Sequence, residues 1–185
     1  MSSEPDPAVR TLELARARPP TLGAGRLICV DGPAGSGKTS LAAAVAALAE
    51  APVVHMDDLY DGWAGLATVA EHLGGLLRPL ARGVPGSYRR YDWHAGAYAE
   101  TVTLEPVPVL VVEGVGAGDR AHADLCTVLA VVTAPADVRL ARGLARDGEA
   151  MRDEWVAWMD AEREHLARER TQERADLTIV GQASS

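Results

Sequence analysis

Eight consecutive residues, Gly-Pro-Ala-Gly-Ser-Gly-Lys-Thr at positions 32–39, constrain this chain more tightly than anything else in it. They fit the pattern G-x-x-x-x-G-K-S/T. Gly32, Gly35 and Gly37 permit backbone angles that let successive N–H groups converge on one anion. The flanks agree with that reading. Leu27, Ile28, Cys29 and Val30 form a short apolar run suited to a buried strand, and residues 41–48 are rich in alanine and leucine, which favour helix. A helix starting near Lys38 adds the positive end of its dipole to the same point. Lys38 is the only lysine of the 185 residues. A slim ammonium on a flexible stem fits beneath a phosphate-wrapping loop that a broad planar guanidinium would crowd. The bland alternative, a glycine-rich turn ahead of a helix, does not account for that solitary lysine. The run predicts a nucleoside triphosphate site made by Gly32, Ala34, Gly35, Ser36, Gly37, Lys38, Thr39 and Ser40. In it Lys38 reaches the β- and γ-phosphates and the Thr39 hydroxyl holds Mg²⁺.

Strand and helix signals alternate along the chain. Helical spacing covers residues 7–18 and stops at Pro19-Pro20, and a second strand over 52–56 ends in Asp57-Asp58. A helix is expected over 66–80, broken at 83–86, and residues 87–99 have the polar, aromatic composition of an irregular site-forming loop. Residues 107–112 and 128–132 read as strands buried on both faces, 136–147 and 152–170 as helices, and 176–180 as a closing strand. On the last helix Trp155, Trp158, Met159 and Leu166 mark a core side, while His165 is expected to face solvent. This pattern predicts an α/β fold of the P-loop NTPase, nucleoside/nucleotide kinase-like, class: a parallel five-stranded sheet flanked by helices. One domain over 1–185 is expected, with 1–20 as an N-terminal helical extension and 139–152 as an arginine-bearing lid.

Composition narrows the function classes. A net charge of −8 argues against a sequence-independent grip on nucleic acid or anionic lipid. No stretch approaches the roughly 20 apolar residues of a membrane span. The beginning of the chain is acidic and proline-bearing rather than signal-like, so a cytoplasmic location is expected. Cys29 and Cys126 fall in apolar runs and read as reduced core residues. Residues 2–7 and 182–185 look like frayed ends.

Four groups of residues could carry chemistry. Asp57 closes the second strand on the edge that holds the phosphate loop, where a carboxylate can face both Mg²⁺ and an acceptor hydroxyl; capping a short turn is its alternative role. Glu113 ends an apolar strand beside Gly114, as a Mg²⁺ assistant or as an exposed strand terminus. Arg139, Arg142 and Arg146 share one helical face, with Arg142 and Arg146 reaching phosphate, or else pair with Asp137, Asp147 and Glu149 on a solvated helix. Tyr88, Tyr91, Asp92, Trp93 and His94 form an acceptor site or a surface loop anchored by its rings.

Taken together, the chain resembles the uridine kinase-like family of P-loop kinases over about residues 27–180. His55-Met56-Asp57-Asp58-Leu59-Tyr60 is similar to the family's D-x-x-Y segment, which implies Asp57 as base and Tyr60 at the acceptor site. Tyr91-Asp92-Trp93 is similar to its Y-D-F/W segment and Glu113-Gly114 to its E-G pair. Arg139-Leu140-Ala141-Arg142 through Arg146-Asp147 resembles its arginine lid, and Ala175-Asp176-Leu177 its final strand. The resemblance implies transfer of the γ-phosphate of Mg·ATP to a hydroxyl of a small-molecule acceptor, a nucleoside first, with substrate-binding Tyr60, Tyr91, Asp92, Trp93 and His94 and metal-binding Thr39, Asp57 and Glu113. Residues 63–69 depart from the family pattern, carrying no carboxylate where the family contacts ribose, and His94 stands ahead of the family's histidine. A kinase of a non-nucleoside metabolite or antibiotic is the runner-up, and a nucleotide-dependent switch or assembly NTPase is the reading from another class. No N-K-x-D motif is possible with one lysine, which favours ATP over GTP. The oligomeric state stays open.

Overall fold

The computed structural model describes residues 5–181. The chain forms β1 (Arg26–Asp31), β2 (Val53–His55), β3 (Gly86–Asp92), β4 (Ala97–Leu104), β5 (Val109–Glu113), β6 (Val128–Thr133) and β7 (Leu177–Val180). Its α-helices are α1 (Pro7–Ala17), α2 (Lys38–Ala49), α3 (Val69–Ala81), α4 (Ala136–Asp147), α5 (Arg152–Glu169) and α6 (Thr171–Arg174). Five strands make one parallel sheet in the order β2-β5-β1-β6-β7, as the alternating pattern predicts. The continuous apolar runs become β1, β5 and β6, which take the three middle places because only there are both faces covered.

Two apolar layers sandwich the sheet. On one face Ile28, Val30, Val111 and Ala130 meet α1 and α2. On the other, Leu27, Cys29 and Val112 meet α3 and Trp158 of α5. In α3 the buried positions Val69, Leu73, Leu76, Leu77 and Leu80 follow helical spacing. Each such side chain removed from water contributes about 1.5–3 kcal/mol. A 3₁₀ turn at Gly65–Ala67 precedes α3, so the helix starts later than residue 66.

The ends differ from expectation. Residues 1–4 and 182–185 lie outside the described residues, so fraying there has no structural counterpart to report. Pro7, expected to be frayed, is the first residue of α1: Asp6 caps it by accepting the Ala8 N–H at 2.8 Å, and proline at this position forfeits no helical hydrogen bond. Arg18 then ties the N-terminal segment to the far edge of the sheet, donating to Asp176 at 2.7 Å and to the Thr127 carbonyl at 2.8 Å.

Residues 87–99 are not an irregular loop. They belong to an antiparallel hairpin of β3 and β4 outside the main sheet, with Tyr91 opposite Tyr98. Asp92 builds the turn by accepting the backbone N–H groups of His94 and Ala95 at 2.9 and 3.0 Å. The hairpin is half-exposed and carries mixed polar and aromatic residues, so no apolar run marks it in the sequence. Both cysteines are free, Cys29 in β1 and Cys126 just ahead of β6. Among the described residues no helix is long and apolar enough to cross a membrane.

Candidate active site

The phosphate loop leaves β1 through Gly32, whose φ of 128° lies in the left-handed region. A Cβ there would stand 2.1 Å from the Val132 carbonyl oxygen, so only glycine lets the loop pass this close to β6. Asp31, fully buried at the end of β1, accepts N–H groups from Gly32 at 2.6 Å, Gly116 at 3.0 Å and Gly118 at 2.8 Å. Burial raises its pKa while those three donors and Lys38 oppose the rise. One carboxylate thus fastens the phosphate loop to the loop that follows β5.

A second buried carboxylate fastens its other side. Glu162 of α5 accepts the Ala34 N–H at 2.7 Å and pairs with Arg139 at 2.5 Å, and Arg139 also donates to the carbonyls of Ala34 and Ala134 at 3.2 Å. Arg139 therefore braces the loop from behind. Arg142, one turn along α4, donates to the Gly35 carbonyl at 2.9 Å. Lys38 is buried, its ammonium donating to the Pro33 carbonyl at 2.9 Å. Burial lowers its pKa, and Asp31, Glu113, Glu162 and Asp57 pull the other way. Ser36 keeps a buried hydroxyl without a hydrogen-bond partner. The hollow over this loop, about 470 Å³, is bordered by the backbone and side chains of residues 35–40 and by Arg142, Arg146 and Gly181.

Strand register then sets the second wall. β2 pairs with β5 so that His55 lies opposite Glu113, while Glu113 lies opposite Val30 of β1. The carboxyl ends of the three strands are level, and the chemistry-bearing residues just beyond them converge. The Glu113 carboxylate accepts from Thr39 Oγ1 at 3.3 Å and meets His55 Nδ1 at 2.6 Å. Asp57 follows in a 3₁₀ turn spanning Met56–Asp58. The walls enclose its carboxyl on most sides, and that burial, followed by the Glu113 charge, raises its pKa. Lys38 and Arg146 oppose the rise, and the open mouth of the cleft, which leaves Asp57 exposed to water, tempers it further.

Lys38, Thr39, Asp57, Glu113 and Arg146 line one cleft of about 350 Å³. Its far end is aromatic. Trp63 meets Trp93 and Trp158 edge to face, with ring centroids 5.6 and 5.9 Å away, and Tyr60 meets Trp158 at 5.1 Å. Trp93 also donates its indole N–H to the Asp57 carbonyl at 2.9 Å, which ties the hairpin to the turn bearing Asp57. Tyr60 is 1% exposed, and its hydroxyl donates to the Val115 carbonyl at 2.6 Å. Arg146 reaches the cleft from α4, paired with Asp147 at 2.7 Å and lying over the Trp155 ring at 5.6 Å. Trp155 packs so closely on α4 that a Cβ at Gly143 would come within 2.4 Å of the indole.

The expected site residues divide into two sets. Lys38, Thr39, Asp57, Tyr60, Trp93, Glu113 and Arg146 share the cleft. Arg142, Tyr91, Asp92 and His94 do not line it: Arg142 borders the hollow over the loop, Tyr91 supports Trp93 at 5.4 Å, and Asp92 holds the hairpin turn. Sequence reasoning missed Asp31, Glu162, His55 and Trp63 as participants and placed His165 in solvent, whereas His165 is 3% exposed beneath Gly116. Extending the tryptophan spacing on α5 finds part of this, since Trp155, Trp158, Glu162, His165 and Glu169 form its buried stripe. Trp155 and Trp158 are buried as expected, and both also line the cleft.

The chain is similar in structure to two solved proteins over nearly its whole length. One is described as a possible uridine kinase from Bacillus stearothermophilus: 19% identity, TM-score 0.66, covering 93% of this chain and 96% of that one. The other is a candidate fructose transport system kinase from Silicibacter sp. TM1040: 24% identity, TM-score 0.64, covering 92% and 97%. The fold is that of the P-loop kinases. No family model matches the sequence, and no curated protein matches it.

Proposed function

We propose that this chain is a uridine kinase-like phosphotransferase that moves the γ-phosphate of Mg·ATP to a hydroxyl of a small molecule, a ring-bearing alcohol such as a nucleoside. The observation that carries this reading is the shared cleft: Asp57 opens into the same cavity as Lys38, Thr39 and Arg146, with an aromatic wall beyond it. Phosphate-binding and acceptor-binding groups facing each other across one cavity are what in-line transfer needs.

Each residue then has a role. Backbone N–H groups of the phosphate loop and the Lys38 ammonium neutralise the β- and γ-phosphate oxygens. Asp57 orients the acceptor hydroxyl and takes its proton as the new P–O bond forms and the bond to ADP breaks. Arg146, held over Trp155, stabilises charge on the transferring group, with Arg142 of the same helix bonded to the loop. The Thr39 hydroxyl with the Glu113 and Asp57 carboxylates is an all-oxygen donor set of the kind Mg²⁺ accepts, and when bound the ion would add charge neutralisation at the phosphates. Among the described residues no group of three or more His, Cys, Asp and Glu side chains could hold a metal unaided, which suits an ion that shares its shell with substrate phosphates. Closure of α4 over the nucleotide would exclude water as a competing acceptor.

The test is ADP release from Mg·ATP against a panel of nucleosides, pantothenate, sugars and aminoglycosides, each run beside Asp57→Asn. We expect stimulation by at least one acceptor, and a loss of about 10²–10⁴-fold in the variant with ATP binding kept. Near-normal turnover in Asp57→Asn removes Asp57 as the base. Tight ATP binding with no stimulation by any acceptor points instead to a nucleotide-dependent switch.

A further inference from the structure

We infer that the acceptor is a flat-ringed alcohol recognised by its ring, and that hydroxyl groups other than the reacting one are not read. This rests on the phosphotransferase reading and names its substrate class.

Three of the five rings at the far end of the cleft have spent their polar handles on protein, while the indole N–H groups of Trp63 and Trp158 can donate but not accept. The Tyr60 hydroxyl donates to the Val115 carbonyl, the Trp93 N–H to the Asp57 carbonyl and the Trp155 N–H to Asp147. The acids are committed as well. Asp147 holds Arg146 through both oxygens at 2.7 and 2.9 Å, and Glu113 faces Thr39 and His55. No asparagine, glutamine or serine lines this cavity. One carboxylate, Asp57, remains to meet one hydroxyl.

A polyol or a ribose diol would find here one open carboxylate and at most two indole N–H donors, too few partners for several buried hydroxyls, so such a site gains little from them. Flat rings gain a great deal. Trp63, 39% exposed, and Trp93, 40% exposed, present indole surface at the mouth, and Trp158 continues it inward. Exposed tryptophans held edge to face by one another are a preformed stacking surface, and stacking is indifferent to ring substituents. The stretch 63–69 carries no carboxylate and supplies Trp63 to the cleft.

The experiment measures binding and transfer separately. Protein loaded with Mg²⁺ and a non-hydrolysable ATP analogue is titrated calorimetrically with uridine, 2′,3′-dideoxyuridine, 4-(hydroxymethyl)pyrimidine, fructose and glycerol; ADP release is then followed with the same compounds and Mg·ATP. Removing the diol is expected to leave affinity within about threefold, and fructose and glycerol to bind at least about tenfold more weakly than the ring alcohols. Trp63→Ala is expected to weaken ring-alcohol binding about tenfold, with Trp63→Phe restoring most of it. Uridine binding about tenfold more tightly than its dideoxy form overturns the inference, as does fructose matching the ring alcohols, or no ring alcohol binding at all. Ring alcohols that bind but never stimulate ADP release would sustain this reading of the cleft and sink the phosphotransferase. Phosphorylation of fructose in preference to them would do the reverse.

Discussion

The phosphate loop is braced from behind by buried charged side chains, whereas across the cleft at Trp63 and Trp93 the protein offers ring faces and one carboxylate. Asp31, Glu162 and Arg139 contribute hydrogen bonds from three different elements to hold one loop. The tryptophan end is held by edge-to-face contacts and the indole hydrogen bonds of Trp93 and Trp155. The contrast suits the proposed ligands. A triphosphate has fixed charge and geometry, so rigid donors aimed at it lose nothing to reorganisation. An acceptor held by stacking needs a surface, and its identity can change without changing the frame.

The comparison can be broken at the brace. Arg139→Ala strands the Glu162 carboxylate, 1% exposed, and is expected to cost about 3–5 kcal/mol, read as a lower urea midpoint. A change under about 1 kcal/mol, the value of an exposed pair, would show that the loop does not depend on it. At the front of the loop, Lys38→Met is expected to keep the fold and lower transfer by about 10²–10³-fold in kcat. Gly143→Ala probes the seam between the two ends. Its Cβ must push Trp155 away, so a stability loss of about 1–3 kcal/mol is expected together with weaker action of Arg146.

The smallest expected effect is a pH dependence. The Asp57 pKa is raised by burial, so the folded protein holds this proton more tightly than the unfolded chain does. Its contribution to stability is complete below the ordinary carboxylate pKa of about 4 and is lost as pH rises through its own higher value. Transfer should rise over that same window as the base form appears. Asp57→Asn should therefore remove the acid limb of the rate profile and be slightly more stable than the parent at neutral pH. A variant less stable at neutral pH would mean that the Asp57 charge is favourable in the folded state.

Much of the frame was legible because it is local. The apolar runs that become β1, β5 and β6, the alanine-rich α2 and the glycine-spaced loop carry their signals within a dozen residues. The hairpin escaped because its partners Tyr91 and Tyr98 alternate with polar residues on a half-exposed ribbon, a pattern shared with surface loops. His165 and Glu162 escaped because their polarity argues for solvent, and only the stripe begun by Trp155 and Trp158 argues otherwise.

The sequence by itself determined the glycine-spaced loop and the helix that starts at Lys38, since both require only neighbours along the chain. It also placed Asp57 and Glu113 at strand ends on the correct edge of the sheet. Tertiary structure alone decided that Arg139 would turn inward to Glu162. It alone brought Trp63, Trp93 and Trp158, from three separate segments, into one wall. A side chain's environment is set by what packs against it from elsewhere in the chain, and spacing within one element cannot specify that partner.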